Sequence, residues 1–474
     1  MLTLYNDQPD LWEAILPPEM RGLPPELKAI DEVLKDDAFL KPFEAEVAKK
    51  VREKVFSPNF GRPSTALSSY VRMMILRFRH QYSYEELVPT VKDSIIFRRF
   101  CGFGLSDAVP DDTTLIKLTN KLGEDFIHKL NRAVVQEAAK RRIIRGRKMR
   151  LDTTVVESNI HYPTDTGLLS DAVRTVTRTV KKIKEVVKIK TRFRNCTRAI
   201  KTTLLHMLKF LKGGKGKTKE SIKAAKKKVL GMARSVLAQA LDVLKELKNP
   251  QYKELSPKST DILKALRATA LKSELAHWIE MLKRVIAQTE TVLSGQTHIP
   301  DRLVSIFDPG ARPIQKGKLF PDTEFGRKVL IQEAEQGLIT NYQAHDGNPH
   351  DASLLDGGID KHKETFGQAP ADLAADRGFY KTGQQEDLKK RGIEHVSIPV
   401  KGNKNGMQKR REYSAWFRRL QRWRAGGEAE ISIFKRVFGG RRSLVRGTPR
   451  VAAWIGWGVM AHNLWRMARV INST

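Results

Sequence analysis

The sequence predicts an α/β protein with a helical N-terminal region and a long, basic helical insertion. Residues 149–156, MRLDTTVV, are short and β-branched, which is typical of a strand. Residues 164–249 contain no proline and carry apolar residues at helical spacing among many lysines and arginines. Strand-like alternation returns after residue 299. A helical segment therefore separates the first strand from the strands that follow it.

The composition favours a polyanionic partner. The chain has 474 residues, 40% of them hydrophobic, which is enough for about two to four domains. The formal net charge of +33 points first to nucleic acid and second to an anionic membrane surface. No run approaches the roughly 18 apolar residues of a membrane span, and the start does not resemble a secretory signal. We therefore expect a cytoplasmic, nucleoid-associated protein with no membrane partner. Its two cysteines, Cys101 and Cys196, are expected to be free.

The N-terminal part is predicted to be all-α. Residues 1–60 hold short helical pieces between Pro-Pro breaks, and a Gly/Pro linker at 57–64 leads into a helical domain at 61–146. In that domain, a capping-box pattern at Ser83 and Glu86 and the tight turns that follow resemble a helix-turn-helix.

The third helix of this domain is expected to begin at Asp93 or Ser94. It carries two candidate DNA contacts, Arg98 and Arg99. The alternative is a small helical bundle with a solvated basic face. Two further helices, predicted at about 113–121 and 124–141, precede the first strand.

The most basic part of the chain is the insertion, which we assign to residues 167–298. Between Arg174 and Lys228 there are 20 Lys or Arg and two acids, an imbalance that favours phosphate binding over a merely solvated face. Long antiparallel helices are expected over roughly 171–211, 218–248 and 258–293. The candidate DNA contacts of the insertion are Arg192, Arg194, Lys226 and Lys227.

Residues 147–166 and 299–474 are predicted to form one catalytic α/β domain that the insertion divides. After the first strand we expect paired strands at 324–347, a helix at about 352–365, and buried strands at 372–379 and 394–400. In the last, apolar helix, we interpret Trp454, Trp457 and Trp465 as core residues rather than as base-stacking residues.

Two acids belong to predicted strands, where an isolated carboxylate is costly to bury. Asp152 is the single acid of LDTTVV, and Asp376 ends LAAD just before Arg377. An ionised carboxylate that is desolvated without compensation costs free energy. A divalent ion removes that cost, and Mg²⁺ prefers carboxylate oxygens together with water and substrate phosphate.

The stretch RWRAGGEAEISIFKR, residues 422–436, adds a third acid. On a helix, one stripe would carry Arg424, Glu428, Ile431 and Lys435. Glu430 would face elsewhere. An intrahelical ion pair would explain Glu428 by itself, but with the two aspartates it completes a set sufficient for a two-metal phosphodiester site. The basic residues of this stretch that could hold phosphates are Arg424, Lys435 and Arg436.

These residues resemble the Asp-Asp-Glu triad of bacterial insertion-sequence transposases. Arg424, Glu428 and Lys435 match the Arg-Glu-Lys part of the family's Tyr-Arg-Glu-Lys signature, while Gln421 stands at the tyrosine position. The segments DTTVVESNIHYPTD, GRKV, ADRGF, FGGRRSLVRG and GWGVMAHNLWR resemble the transposases not yet classified within the insertion-sequence-five-like assembly. The resemblance runs from about Gly61 to the C-terminus and depends on the order and spacing of the motifs.

The resemblance implies a ribonuclease-H-like catalytic domain, a mixed sheet flanked by helices, with the helical insertion between its first and second strands. The first Asp would lie on the first strand, the second after the fourth strand, and the Glu on a later helix. Asp152, Asp376 and Glu428 would be the catalytic residues and the ligands of two Mg²⁺ ions, for which Mn²⁺ could substitute.

The activity implied is that of a DNA transposase. Such an enzyme binds the terminal inverted repeats of its insertion sequence and performs metal-dependent strand cleavage and 3′-hydroxyl strand transfer. Its partners would be the double-stranded DNA of the element ends and of the target. Because two ends must be joined, the working complex would be a homodimer or larger.

Alternatives remain open at this point. Rivals for the second aspartate, all in turn-forming sequence, are Asp308, Asp346 and Asp351. Three residues that either support the metal site or organise the turn after the first strand are Glu157, His161 and Asp165. The alternative functions are a structure-selective nuclease of the same fold without strand transfer and a non-catalytic DNA-binding regulator.

Overall fold

The computed structural model describes residue 17 and residues 22–35, 37–52, 65–212, 219–248, 259–296, 298–315 and 323–473. The chain divides into two compact units, one of residues 1–159 and 314–474 and the other of residues 160–313. The predicted linker at 57–64 lies outside the described residues. None of the described helices is long and apolar enough to cross a membrane.

The described α-helices lie before the first strand, in the second unit and among the later strands, in the order predicted from the sequence. Those before the first strand are α1 (Pro25–Leu34), α2 (Asp37–Leu40), α3 (Glu44–Arg52), α4 (Leu67–His80), α5 (Tyr84–Asp93), α6 (Ile95–Phe100) and α7 (Asp112–Lys140). Those of the second unit are α8 (Asp165–Val186), α9 (Thr197–Lys212), α10 (Lys219–Glu246) and α11 (Ser259–Leu293). The remainder are α12 (Asp351–Phe366), α13 (Gln384–Lys390), α14 (Gly406–Tyr413), α15 (Ala415–Val437) and α16 (Thr448–Ser473).

The described strands form a mixed sheet. They are β1 (Lys148–Ser158), β2 (Arg312–Gln315), β3 (Thr323–Glu333), β4 (Ile339–His345), β5 (Asp372–Ala375), β6 (His395–Ser397) and β7 (Arg442–Ser443). The main order is β2-β3-β1-β5-β6, with β4 beside β3 and β7 beside β1. β3 is antiparallel to β1 and β4, whereas β5 is parallel to β1 and β6.

The parallel pairing of β1 and β5 brings two of the predicted acids to neighbouring positions. Leu151 is the register partner of Ala375, and Asp152 and Asp376 each follow by one residue. Asp376 follows the fifth described strand rather than the fourth, because the short β2 precedes β3.

α15 packs against β1, β5 and β6. Its glycine pair lets the side chain of Arg150 pass beneath it, since a Cβ atom at Gly427 would lie 2.9 Å from the Arg150 Nε. The capping box predicted at Ser83 and Glu86 is present at the start of α5, and Ser94 caps α6.

The N-terminal helices share one apolar core with α15, α16 and one face of the sheet. Tyr70 of α4, Phe126 of α7 and Trp457 of α16 are all buried in it, and Trp454 and Trp465 pack against it. Residues 61–146, predicted as a domain of their own, thus contribute to the core of the first unit. The opposite face of the sheet is covered by a second core that includes Leu151, Leu355 and Phe379.

The second unit is helical and has its own core, which includes Val173, Val236 and Leu282. The prediction of one helix over 171–211 is wrong, because α8 ends at Val186 and α9 begins at Thr197. The carboxylate of Glu246 accepts hydrogen bonds from the backbone N–H groups of Lys190 (2.7 Å) and Thr191 (2.9 Å). This tertiary contact satisfies donors that a continuous helix would otherwise pair.

The two helices expected at 113–121 and 124–141 are present as the two parts of α7, separated by a break at Gly123, which adopts a φ of 71°. One boundary differs from the predicted one. The compact second unit covers residues 160–313, wider than the insertion predicted at 167–298. Both cysteines are buried free thiols, as predicted.

Candidate active site

Asp152, Asp376 and Glu428 line one cavity of about 900 Å³ in the first unit. Three separate segments supply them: Asp152 lies within β1, Asp376 directly follows β5, and Glu428 lies on α15. The cavity wall also carries basic side chains, among them Arg424, Lys328, Lys435, Arg436 and Arg441. The cavity therefore combines acids that could hold cations with bases that could hold phosphates.

Arg424 stands between two of the three acids. Its Nη1 is 3.8 Å from Oδ2 of Asp152, and its Nη2 is 3.4 Å from Oε1 of Glu428. The side chain of Glu428 is 67% exposed, whereas that of Arg424 is 17% exposed. The helical stripe predicted from residue spacing thus faces the cavity.

Asp376 is fixed by the turn that follows β5. Its Oδ1 accepts a hydrogen bond from the backbone N–H of Gly378 (2.8 Å). A Cβ atom at Gly378 would lie 2.9 Å from Oδ1 of Asp376 and 2.9 Å from Oδ2 of Asp351. A side chain at this position would displace one of these carboxylates. Because both oxygens lie 2.9 Å from the same point, the distance between them is at most twice 2.9 Å.

Asp351 is a further carboxylate of the cavity, although its sequence context predicts a turn. It begins α12, and its Oδ1 lies 2.5 Å from Nζ of Lys328 and accepts a hydrogen bond from the Thr153 hydroxyl (3.1 Å). Oδ2 is the oxygen that faces Asp376. Neither of the other two rivals lines the cavity. Asp308 is buried in the second unit, and Asp346 accepts a hydrogen bond from the Thr448 hydroxyl.

Replacement of Asp351 by asparagine is expected to weaken Mn²⁺ binding to the cavity about 10- to 100-fold, the usual cost of losing a residue that orients metal ligands. The loss of negative charge beside Asp376 and of the ion pair with Lys328 is the physical reason. Mn²⁺ affinity can be measured by electron paramagnetic resonance on the purified chain. Asp346→Asn is the matched control, and equal Mn²⁺ affinity of the two variants would contradict a role for Asp351.

The donor set of the cavity suits Mg²⁺, which prefers carboxylate oxygens with water and phosphate. Within the described ranges, no three Asp, Glu, His or Cys side chains are grouped so that they could hold a metal ion. The guanidinium of Arg424 is in contact with two of the candidate ligands. Metal binding would therefore require the carboxylates to close around the ion.

Glu430, two residues from Glu428, has a different environment. Its side chain is 10% exposed and is held by Arg466 and by His462, whose Nε2 is 3.5 Å from the Glu430 Oε2. Burial alone would raise the pKa of Glu430, but the neighbouring His462 imidazole and the charge of Arg466 lower it. Glu430 therefore ties α15 to α16, as its predicted orientation away from Glu428 allows.

Gln421, which the resemblance aligned with the signature tyrosine, has a structural role. Its Nε2 donates to the carbonyl oxygens of Ser397 (2.6 Å) and Ala375 (3.2 Å), so it joins α15 to the ends of β5 and β6. Trp423 does not line the Asp152 cavity. Its ring instead lies 4.9 Å from the guanidinium of Arg150.

One predicted DNA contact, Arg98, is largely buried. It is 9% exposed, and its Nη2 donates to the carbonyl oxygens of Gly104, Leu105 and Asp107. These hydrogen bonds close the loop after α6 and leave little of the side chain accessible to a phosphate. Arg99 is half-buried.

The other predicted DNA contacts are more accessible. Arg436 of the first unit and three residues of the second, Arg192, Arg194 and Lys227, are exposed, while Lys435 and Lys226 are half-buried.

The residues that follow Asp152 divide between two environments. Glu157 lines the cavity and pairs with Arg442, whose Nη2 lies 2.9 Å from its Oε2. His161 and Asp165 belong to the second unit, where Asp165 begins α8 and pairs with Arg302 (3.0 Å). Their position fits the alternative that they organise the turn after β1.

Comparison with known proteins gives two family matches. Residues 15–121 match a family described as a transposase domain, and residues 301–464 match one described as a transposase DDE domain. A curated relative, "Uncharacterized protein ORF8 in nfe locus" of Rhizobium meliloti, is 29% identical over 127 residues. That match covers 26% of this chain and 61% of the relative. No solved structure matches the chain.

Proposed function

Because this chain belongs to the Asp-Asp-Glu transposases typical of the insertion-sequence-five-like group, we propose that it binds the terminal inverted repeats of its element and moves that element by cutting and joining DNA strands. One observation carries the proposal. Asp152, Asp376 and Glu428 come from three distant segments and line a single cavity whose walls also carry cationic side chains. The DDE domain assigned by comparison implies the ribonuclease-H-like fold that supports such a cavity.

The proposed reaction has two balanced steps. In the first, water attacks a phosphorus at the element end, the bond to the 3′ oxygen breaks, and a 3′-hydroxyl is released beside a 5′-phosphate. In the second, that 3′-hydroxyl attacks a phosphodiester of the target, and a target 3′-hydroxyl leaves. Divalent ions bound by the carboxylates would activate the attacking oxygen and stabilise the leaving one.

The side chains of the chain itself would position the DNA. Arg424, Lys435 and Arg436 lie on the cavity wall beside the acids, where guanidinium and ammonium groups can hold phosphate oxygens. In the second unit, the exposed Arg192, Arg194 and Lys227 would contact phosphates of the DNA backbone. An interface built on so many charges binds phosphates without regard to sequence and weakens steeply with salt.

The test is to incubate the purified chain with a labelled duplex of the element end, target DNA, and Mg²⁺ or Mn²⁺, and to sequence the products. A nick at the element end and a product joined to target are expected. Cutting without a joined product would instead indicate a nuclease of the same fold. A footprint on the end with no nick in either metal would indicate a non-catalytic binder.

A further inference from the structure

A second cavity of the first unit, of about 270 Å³, lies among α4, α5, α7 and α16. Aromatic and aliphatic side chains form most of its wall, including Tyr84, Trp454 and Trp457. Arg77 of α4 also lines it, while the exposed side chains of Asn120 and Arg450 stand at its edge. The cavity is thus largely apolar, with a few polar groups that could fix the orientation of a bound molecule.

Arg77 is a buried cation without a hydrogen-bonding partner for its Nε. The residue is 5% exposed, and Nε has no acceptor among the residues that the structure describes. Its guanidinium lies over the rings of Tyr84 (4.0 Å to the centroid) and Trp454 (4.9 Å). Ring faces offset only part of the cost of burying an unpaired charge. The guanidinium of Arg77 is therefore a cavity-lining group whose Nε donor is unused among the described residues.

The wall residues of this cavity connect it to the candidate active site. Arg441 lines the cavity of Asp152 and also a small intervening cavity that contains Gln81 and Arg442. Arg77, Phe78 and Trp454 line both that intervening cavity and the aromatic one. A DNA strand whose phosphates follow Arg441 and Arg442 would therefore run beside the side chains that the intervening and aromatic cavities share.

We propose that the cavity around Arg77 holds one unpaired nucleobase of the DNA strand bound in the active site. This inference rests on the proposed function, because it assumes that a DNA strand is bound in the catalytic cavity. A base offers a flat ring for the aromatic walls and edge oxygen or nitrogen acceptors for a guanidinium. A phosphate would meet a largely apolar wall instead, and a volume of about 270 Å³ suits a single heterocycle.

The first experiment isolates the base from the phosphates and does not require transposition. A short single-stranded oligonucleotide and its abasic counterpart of equal charge are titrated into the full chain without metal. Base–aromatic stacking favours the base-containing strand, and we expect about tenfold tighter binding. The preference should be lost in Arg77→Met and kept in Arg79→Met, since Arg79 on the same helix pairs with Glu26 and lines none of the three cavities.

The second experiment locates the base within an element end. Single abasic substitutions are placed along both strands near the cleaved bond, and the affinity of each duplex is measured. One position should weaken binding to the wild-type chain about tenfold and have no further effect in Arg77→Met. Equal binding of base-containing and abasic oligonucleotides by the wild-type chain would overturn the pocket, even if cleavage occurs. Absence of cleavage with a retained, Arg77-dependent base preference would overturn the proposed function alone.

Discussion

Replacement of Glu428 by glutamine will lower the rate of cleavage at an element end roughly a thousandfold or more, because the charge stabilisation supplied by bound divalent ions is worth several kcal/mol. The side chain lines the cavity shared with Asp152 and Asp376, and glutamine keeps its shape while removing its charge. Stability should hardly change, since an exposed ion pair such as that with Arg424 contributes about 0–1 kcal/mol. Cleavage assays and urea unfolding measure the two effects.

Glu430→Gln is the matched control, and the opposite result is expected. Its carboxylate is buried between Arg466 and His462, and breaking such a pair costs about 3 kcal/mol of unfolding free energy. Cleavage by the folded fraction should stay within a few-fold of the wild-type rate. Unchanged cleavage in Glu428→Gln, or an equally large loss in folded Glu430→Gln, would contradict the assignment of Glu428 to the reaction.

The sequence could predict that these two glutamates face different sides of α15, because their orientation depends only on helical periodicity. Glu428 shares a stripe with Arg424 and Lys435, and a position two residues away must face elsewhere. The proximity of Asp152 and Asp376 is expected from the family resemblance, but the strand pairing that produces it leaves no local pattern in the sequence. Leu151 and Ala375 are in register, and that pairing crosses more than two hundred residues of sequence that includes the whole second unit. Local patterns thus gave the acids and their elements, but not their contacts.

Other features of the site depend on tertiary contacts that leave no local pattern. Asp351 stands in a turn-like sequence, and its role as a cavity residue comes from Lys328 on β3 and Thr153 on β1. Arg98 has the sequence context of a surface arginine, yet three backbone carbonyls hold it inside a loop. Gln421 stands where the resemblance predicts a tyrosine, and the two carbonyl groups at the ends of β5 and β6 account for an amide there.

Replacement of Arg150 by methionine will destabilise the fold by about 3 kcal/mol at pH 8, the lower end of the cost of breaking a buried ion pair. Arg150 and Glu333 are cross-strand partners of β1 and β3, and their side chains are 8% and 3% exposed. The Arg150 Nε donates to the Glu333 Oε2 at 2.8 Å, and its Nη1 donates to the carbonyl of Trp423 at 2.6 Å. The arginine therefore also anchors α15, which carries Glu428.

The size of this loss should depend on pH in a defined direction. Burial raises the pKa of Glu333 to about 7, and the charge of Arg150 opposes that rise. A carboxyl group whose pKa is higher in the folded than in the unfolded chain contributes stability at a pH below its unfolded-state pKa. This stability is lost as the pH rises through its folded-state pKa. Without Arg150 the pKa rises further, so Arg150→Met should cost little at pH 5, where Glu333 is protonated, and most at pH 8.

Urea unfolding at pH 5 and pH 8 tests this pH dependence. It is measured for the wild-type chain, Arg150→Met and the double variant Arg150→Met/Glu333→Gln. The double variant removes the carboxylate that would be left unpaired, so it should recover most of the stability that Arg150→Met loses at pH 8. Its free energy of unfolding should differ between pH 5 and pH 8 by no more than that of the wild type. If Arg150→Met were equally costly at both pH values, the loss would come from packing and from the Trp423 contact. Glu333 would then not be the titrating group, and the charge pair would not be what fixes α15 over the sheet.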